Sequence, residues 1–222
     1  MANLKRTRED ILKSVVNTVH RQGLTATGLS QLFKVSGASS GSFYNYFQSK
    51  HELGHALIDF EWSQLQANVL EPAVSQSEDP IEQIFWVLDR LEEKQLQEPK
   101  CGGCLLGNLI VDLVEQDDSF RDHLMQVFSK WEGAIAQTLR QAKPQLRPEV
   151  NPEHLAEQII TAIEGAMLMG KLHRSEYRLK RGFNIARQIL ESAMLPSQAK
   201  AVKGINDTAE THPAYGTPPE RG

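Results

Sequence analysis

Apolar residues return at every third or fourth position along almost the whole chain, and no run alternates with period two for long enough to make a strand. The pattern predicts an all-α fold, with helices over 7–22, 28–34, 40–47, 50–70, 80–97, 104–115, 119–142, 152–173 and 176–194. Thr7, Thr27, Ser39, Ser49, Asp79 and Asn151 each stand where a side-chain oxygen can accept a free amide at a helix start. Glu52 and Glu82 add an acid at the third helical position, and Pro80 and Pro152 occupy the first. From Pro196 the apolar period stops and prolines recur at 213, 218 and 219, so residues 196–222 are expected to form a disordered tail.

A chain of 222 residues has room for one large domain or two small ones. No apolar run approaches the length of a membrane span and the N-terminus is polar, which sets the expectation of a cytoplasmic protein. Two cysteines, Cys101 and Cys104, are too few for a disulfide framework and suit a reducing compartment. The net charge of -4 conceals an asymmetry: the first 55 residues hold seven Lys or Arg against three acids, so the acidic excess lies wholly in the remainder. A basic head on an acidic body suits a polyanionic partner for the head alone.

The first three predicted helices fit a DNA-reading unit. Ile11, Leu12, Val15, Val16 and Val19 give the first a core face, Leu29, Leu32 and Phe33 the second, and a tight "VSGA" link leads into the third. In "SGSFYNYFQSK", Phe43 and Phe47 are four apart and pack inward. Ser40, Gly41 and Tyr44 then face outward, with Ser42, Asn45 and Tyr46 at the flanks, as small hydroxyl-bearing side chains that a major groove accepts. Lys50 sits in the first turn of a helix, where a cation opposes the dipole unless an anion such as a phosphate lies beside it.

The segment "GLTATGLSQLFKVSGASSGSFYNYFQSKHEL", residues 23–53, resembles the helix-turn-helix of the TetR family of bacterial repressors. The resemblance implies a homodimer in which Thr27, Ser39, Ser42, Tyr44, Tyr46 and Lys50 match positions that touch double-stranded operator DNA. Ser40 departs from a frequent lysine of the family, and the basic arm Lys5, Arg6 and Arg8 is expected to compensate. The domain reading is a helix-turn-helix head over 1–52 and a helical effector-binding and dimerisation body over 53–195.

In the body, "PKCGGCLLGNLIVDLVEQDDSFRDHL", echoed by "WEGAI" and "IEGAMLMGKL", resembles the ligand domain of TetR members that sense reactive unsaturated compounds. Cys104 follows two glycines at a predicted helix start, where the dipole and Lys100 would favour the nucleophilic thiolate. Modification would enlarge or charge the side chain and move the helix. A structural cysteine is the alternative, with Cys101 as a candidate resolving partner. A thioredoxin-like site lacks its βαβ setting, and a zinc site lacks ligands, since His123 and His173 are remote in sequence.

Asn108 shares a helix face with Cys104 and is a candidate hydrogen-bond partner of a small-molecule effector. Trp62, Trp86, Phe128 and Trp131 are candidates to line an apolar pocket, or plain core. Glu164 stands inside an apolar run and needs a partner: Lys171, Arg174, the effector or a second subunit. That run, over 152–173, with the helix over 176–194, is the expected dimer interface, through a four-helix bundle that would put two reading helices on a palindrome. No nucleotide loop or complete metal set appears, so no cofactor, metal or enzymatic activity is expected. A thiol-dependent enzyme, a repressor with a reversible non-covalent ligand and a non-specific nucleoid binder are the rival readings.

Overall fold

The computed structural model describes residues 6–97 and 102–196. Cys101, Lys100, Lys5 and almost all of the expected tail lie outside them. The described chain is α-helical, with one isolated bridge between Leu146 and Met194. The helices are α1 (Arg8–Gln22), α2 (Leu29–Ser36), α3 (Ser40–Tyr44), α4 (Lys50–Leu65), α5 (Glu71–Gln76), α6 (Pro80–Gln97), α7 (Leu105–Leu113), α8 (Asp118–Gln141), α9 (Pro152–His173) and α10 (Glu176–Ala193). None is long and apolar enough to cross a membrane.

Capping explains most of the helix starts. Thr7 Oγ1 accepts from Asp10 N while Asp10 Oδ2 accepts from Thr7 N, a reciprocal box that closes both orphan amides. Ser39, Ser49, Asp79 and Asn151 accept from Ser42, Glu52, Ile81 and His154 amides at 2.8 to 3.1 Å. Thr27 departs from the expectation. Gly28 is the N-cap of α2, and the buried Thr27 hydroxyl donates instead to Gly23 O at 2.6 Å. A hydroxyl drawn into the turn between α1 and α2 satisfies a carbonyl that the left-handed Gly23 (φ 82) leaves without a helical partner.

Two helices differ in length from the pattern. α3 closes at Tyr44 rather than Phe47, its last turn completed by Tyr46 N and Phe47 N, which both donate to Phe43 O at 3.0 Å. Beyond α4 the chain does not stop at Leu70. It widens into one π turn, Gln66–Leu70, and runs on through α5. Pro72 is the physical reason: it cannot donate to the carbonyl of Asn68 and its ring crowds that group, and a wider turn relieves the clash without breaking the helix.

Packing produces two apolar clusters. One joins α1, α2 and α3 to α4, α7 and the first half of α8, with Phe43, Phe47, Leu53, Leu109, Phe120 and Leu124 among its members. The other joins the end of α4, α6, the second half of α8, α9 and α10 around Trp131, Ile163 and Phe183. Phe43 and Phe47 are fully buried, each contributing roughly 2–3 kcal/mol by burial. α9 and α10 form an antiparallel hairpin in which Gly182 lies against Ala166 and Gly170 against Leu179. α10 of the same chain therefore packs closely on the small residues Ala166 and Gly170 of α9, while Gly165 faces open space.

Candidate nucleic-acid interface and internal cavity

The outer surface of the head is built on an aromatic stack. Phe33 meets Phe43 edge-on at 5.1 Å, Phe43 lies 5.4 Å from Phe47, and the Arg8 guanidinium covers Phe47 at 5.2 Å. With both phenylalanines turned inward, Ser39, Ser40, Gly41, Tyr44 and Asn45 are exposed, and Ser42, Tyr46 and Lys50 are half-buried. Ser40 and Tyr44, four apart, thus share the exposed side of α3, while Ser42, two positions on, is turned from it and half-buried. Lys50 Nζ donates to Thr25 O at 2.9 Å, which holds the cation at the α4 N-terminus beside the head. Thr27, by contrast, supports the head from inside, since its hydroxyl is spent on Gly23.

Behind the head lies a cavity of about 400 Å³. Its floor is apolar, from Phe60, Leu65, Leu91, Leu106, Trp131 and Met167, while Lys13, Arg90, Lys94 and Glu61 stand among its polar lining. α1 contributes Lys13, Val16, Asn17 and His20, so the head forms part of the cavity wall. Cys104 and Trp131 line this cavity; Asn108 and Glu164 stand behind its wall. Trp62 lines a separate groove with Gln66 and Thr138, and Trp86 a shallow one with Arg90, so the four aromatics do not share one pocket.

The loop before α7 is tied down by a dense set of hydrogen bonds. Gly103 O accepts from His20 Nε2 at 2.8 Å and Gln95 Nε2 at 3.0 Å, and Gly103 N donates to Gln95 Oε1 at 3.1 Å. Asn108 Nδ2 donates to His20 O and Gly102 O, and Lys171 Nζ donates to Asn108 Oδ1 at 2.7 Å. Lys171 thereby serves Asn108 and not Glu164. His20 and Gln95, both buried, were missed by motif reading. Their signal was there: each is a polar residue at a position four beyond Val16 or Leu91 on an otherwise apolar stripe.

Cys104 is the N-cap of α7, as its position suggested, but the expected thiolate is not favoured there. Burial pushes the thiol well above its ordinary range, and the nearby Glu164 carboxylate adds to the shift; the Gly107 amide acts the other way and loses. Although part of the Cys104 surface opens to the cavity, low-dielectric surroundings outweigh the helix terminus. Burial likewise raises Glu164 to about 7, against a smaller lowering by the hydrogen bond from Cys104. Glu164 approaches α7 closely because residue 107 is glycine: a Cβ there would collide with Glu164 Oε2. Glu164 Oε1 and Trp131 Nε1 are both buried without a hydrogen-bond partner among the described residues.

Comparisons with known proteins agree on both halves. Residues 11–57 match the family model "Bacterial regulatory proteins, tetR family", and residues 80–186 match "Tetracyclin repressor-like, C-terminal domain". An uncharacterized HTH-type transcriptional regulator of Lactococcus lactis is 30% identical over 189 residues, 85% of this chain and 95% of that protein. The transcriptional regulator AcuR of Cereibacter sphaeroides is 29% identical over 74% of this chain and 76% of its own length. The crystal structure of a regulatory protein TetR from Rhodobacter sphaeroides superposes with a TM-score of 0.75 at 27% identity, covering 82% of this chain and 97% of that one. With a reading head and a helical body that match the family's two models in order, the chain belongs to the TetR family of DNA-binding transcriptional regulators.

Proposed function

We propose that the chain acts as a homodimeric repressor that binds a palindromic operator and is released when a small effector enters the cavity behind the head. The observation that carries this reading is the shared wall: α1 of the head lines the cavity, and His20 of α1 is hydrogen-bonded to Gly103 of the loop that presents Cys104 and to Asn108 of α7 behind it. An occupant that displaces this loop pulls on α1 directly. Ser39, Ser40, Ser42, Tyr44, Asn45, Tyr46 and Lys50 form the DNA surface, supported from within by Thr27. α9 and α10 pair with their counterparts in a second copy, for which exposed Leu168, Leu172 and Ile185 supply apolar surface.

Trp131, which lines the cavity, offers the effector a donor at its unpartnered Nε1. Cys104 is the reactive point for an electrophilic alkene. A protonated thiol reacts slowly, and Glu164, hydrogen-bonded to it and ionising near neutrality, is placed to take its proton. Sulfur then bonds the β-carbon of an unsaturated carbonyl compound, and the proton passes from Glu164 to the α-carbon. The effector must favour the non-binding arrangement, because equal affinity for both states shifts no population.

Fluorescence anisotropy on the DNA upstream of the protein's own gene, against excess competitor, tests the reading. Specific binding is expected, lost on treatment with an acrylate-type electrophile and retained in Cys104→Ser. Release of Cys104→Ser by the same electrophile would remove the covalent step and leave a reversible ligand, and absence of specific binding would overturn the operator assignment.

A further inference from the structure

Three histidines meet on the seam between α4, which leaves the head, and α8 of the body. Their hydrogen bonds have a fixed direction. Asp59 Oδ1 can only accept, so His123 Nε2, 2.9 Å away, carries a proton. A neutral His123 then presents a lone pair at Nδ1, and His55 Nδ1, at 2.9 Å, donates to it. His55 Nε2 in turn accepts from Ser119 Oγ at 3.2 Å. Ser119 Oγ accepts from His51 Nε2 at 3.1 Å, a nitrogen that Asp117 Oδ2 at 2.8 Å also fixes as a donor. The result is an unbroken chain from Asp117 to Asp59 that passes between α4 and the α8 side at every link, with His55 stacked on Phe120 at 4.4 Å.

The chain admits one extra proton without parting. If His123 is protonated, its Nδ1 donates to His55 Nδ1, and His55 reverses its tautomer to donate from Nε2 to Ser119. A second proton on the pair has no such escape. Two N–H groups and two positive charges would then face each other across 2.9 Å, and only separation of the rings relieves them. The charged groups that act on His55 are His51 and Asp59 on its own helix and His123 and Asp117 on the α8 side. We propose that the His51–Ser119–His55–His123 network is a proton-operated latch between α4 and α8, closed with none or one shared proton and opened by a second. Acidification thus loosens the reading head from the body. The latch stands on this seam alone, while its effect on DNA rests on the function proposed above.

Burial, followed by His123 and His51, holds His55 below the ordinary histidine value near 6.5. As pH falls through that value the unfolded chain gains a proton that folded His55 resists, so stability is lost on acidification until the folded group also titrates. No group of three or more potential metal ligands converges among the described residues. A proton is therefore the cation assigned to the latch.

The test is the thermal midpoint of the DNA-free full chain from pH 8 to pH 5, in chelator, for the wild type, His55→Gln and His123→Gln. The wild type is expected to lose more stability than either variant below pH 6.5, and parallel curves would overturn the latch. Because Glu164 titrates in all three chains, its contribution cancels in the difference. Ring-nitrogen NMR of the unaltered protein is a second readout that needs no variant. A His55 titration displaced below the ordinary histidine range is expected, and one at the ordinary value would overturn the proposal. A wild-type difference that appears only when zinc replaces the chelator would assign the pair to a metal and likewise overturn it. On operator DNA, selectivity over competitor is expected to fall from pH 8 to pH 5.5 in the wild type and to hold in His55→Gln. Absence of selectivity at every pH, with the stability difference intact, would refute the repressor reading and leave the latch.

Discussion

At the scale of single residues, the body's chemistry is governed by burial more than by helix position. Cys104 has the cap position that sequence spacing suggested, yet its thiol is raised because the surrounding atoms come from α1, α4, α6 and α9, which spacing does not reveal. The same burial raises Glu164 above its unfolded value, so the folded state holds a proton that the unfolded chain has already released between about pH 4.5 and 7. Stability contributed by the neutral acid is present below that window and is lost as pH rises through it. Glu164→Gln, which keeps the shape and removes the titration, is expected to be more stable than the wild type at pH 7.5, by on the order of 2 kcal/mol, and equal to it near pH 4.5. Urea unfolding at the two pH values checks this, and an equal gap at both would show that Glu164 is ionised in the fold. Its anomalous position was legible, as an acid inside an apolar run. Its partner was not, because Lys171 is engaged by Asn108.

At the scale of elements, the helices and most of their caps were legible because both are local. Ser39, Ser49, Asp79 and Asn151 act within three residues of themselves, and periodicity needs only one turn of neighbours. What failed was decided by a single nearby group: Thr27, drawn to the Gly23 carbonyl, and Pro72, which the chain passes by a π turn where a helix end was expected. α3 has five residues, too few for a stable helix by itself, and Ser39 closes its first turn. Ser39→Ala is expected to cost about 1 kcal/mol of stability by loss of the cap. It should weaken operator binding, while Ser39→Asp restores stability but not affinity, since its charge faces phosphate. Thermal unfolding alongside anisotropy separates the two effects, and full affinity in Ser39→Asp would remove Ser39 from the DNA surface.

At the scale of the whole molecule, the two halves and their order could be read from sequence, but the tether between them could not. It is made of contacts between residues more than sixty positions apart, such as His55 with His123, His20 with Gly103 and Thr25 with Asp112. The proposed pairing with a second copy places Leu172 of α9, now 68% exposed, in a buried apolar seam. Leu172→Glu is therefore expected to yield a folded monomer by light scattering, with operator affinity lost because one reading helix spans only half the site. A dimer that survives this change would move the interface away from the end of α9. One packing detail limits what can be exchanged with relatives. Leu24 of the head, Gly54 of α4 and Phe120 of α8 interlock so tightly that a Cβ on Gly54 would overlap both neighbours. A chimera that grafts this head onto another family member at the start of α4 would import Leu24 without Phe120 and open a hole beneath the reading helices. The recognition specificity of this protein is transplantable only together with a residue almost seventy positions downstream, so the head is not a free-standing cassette.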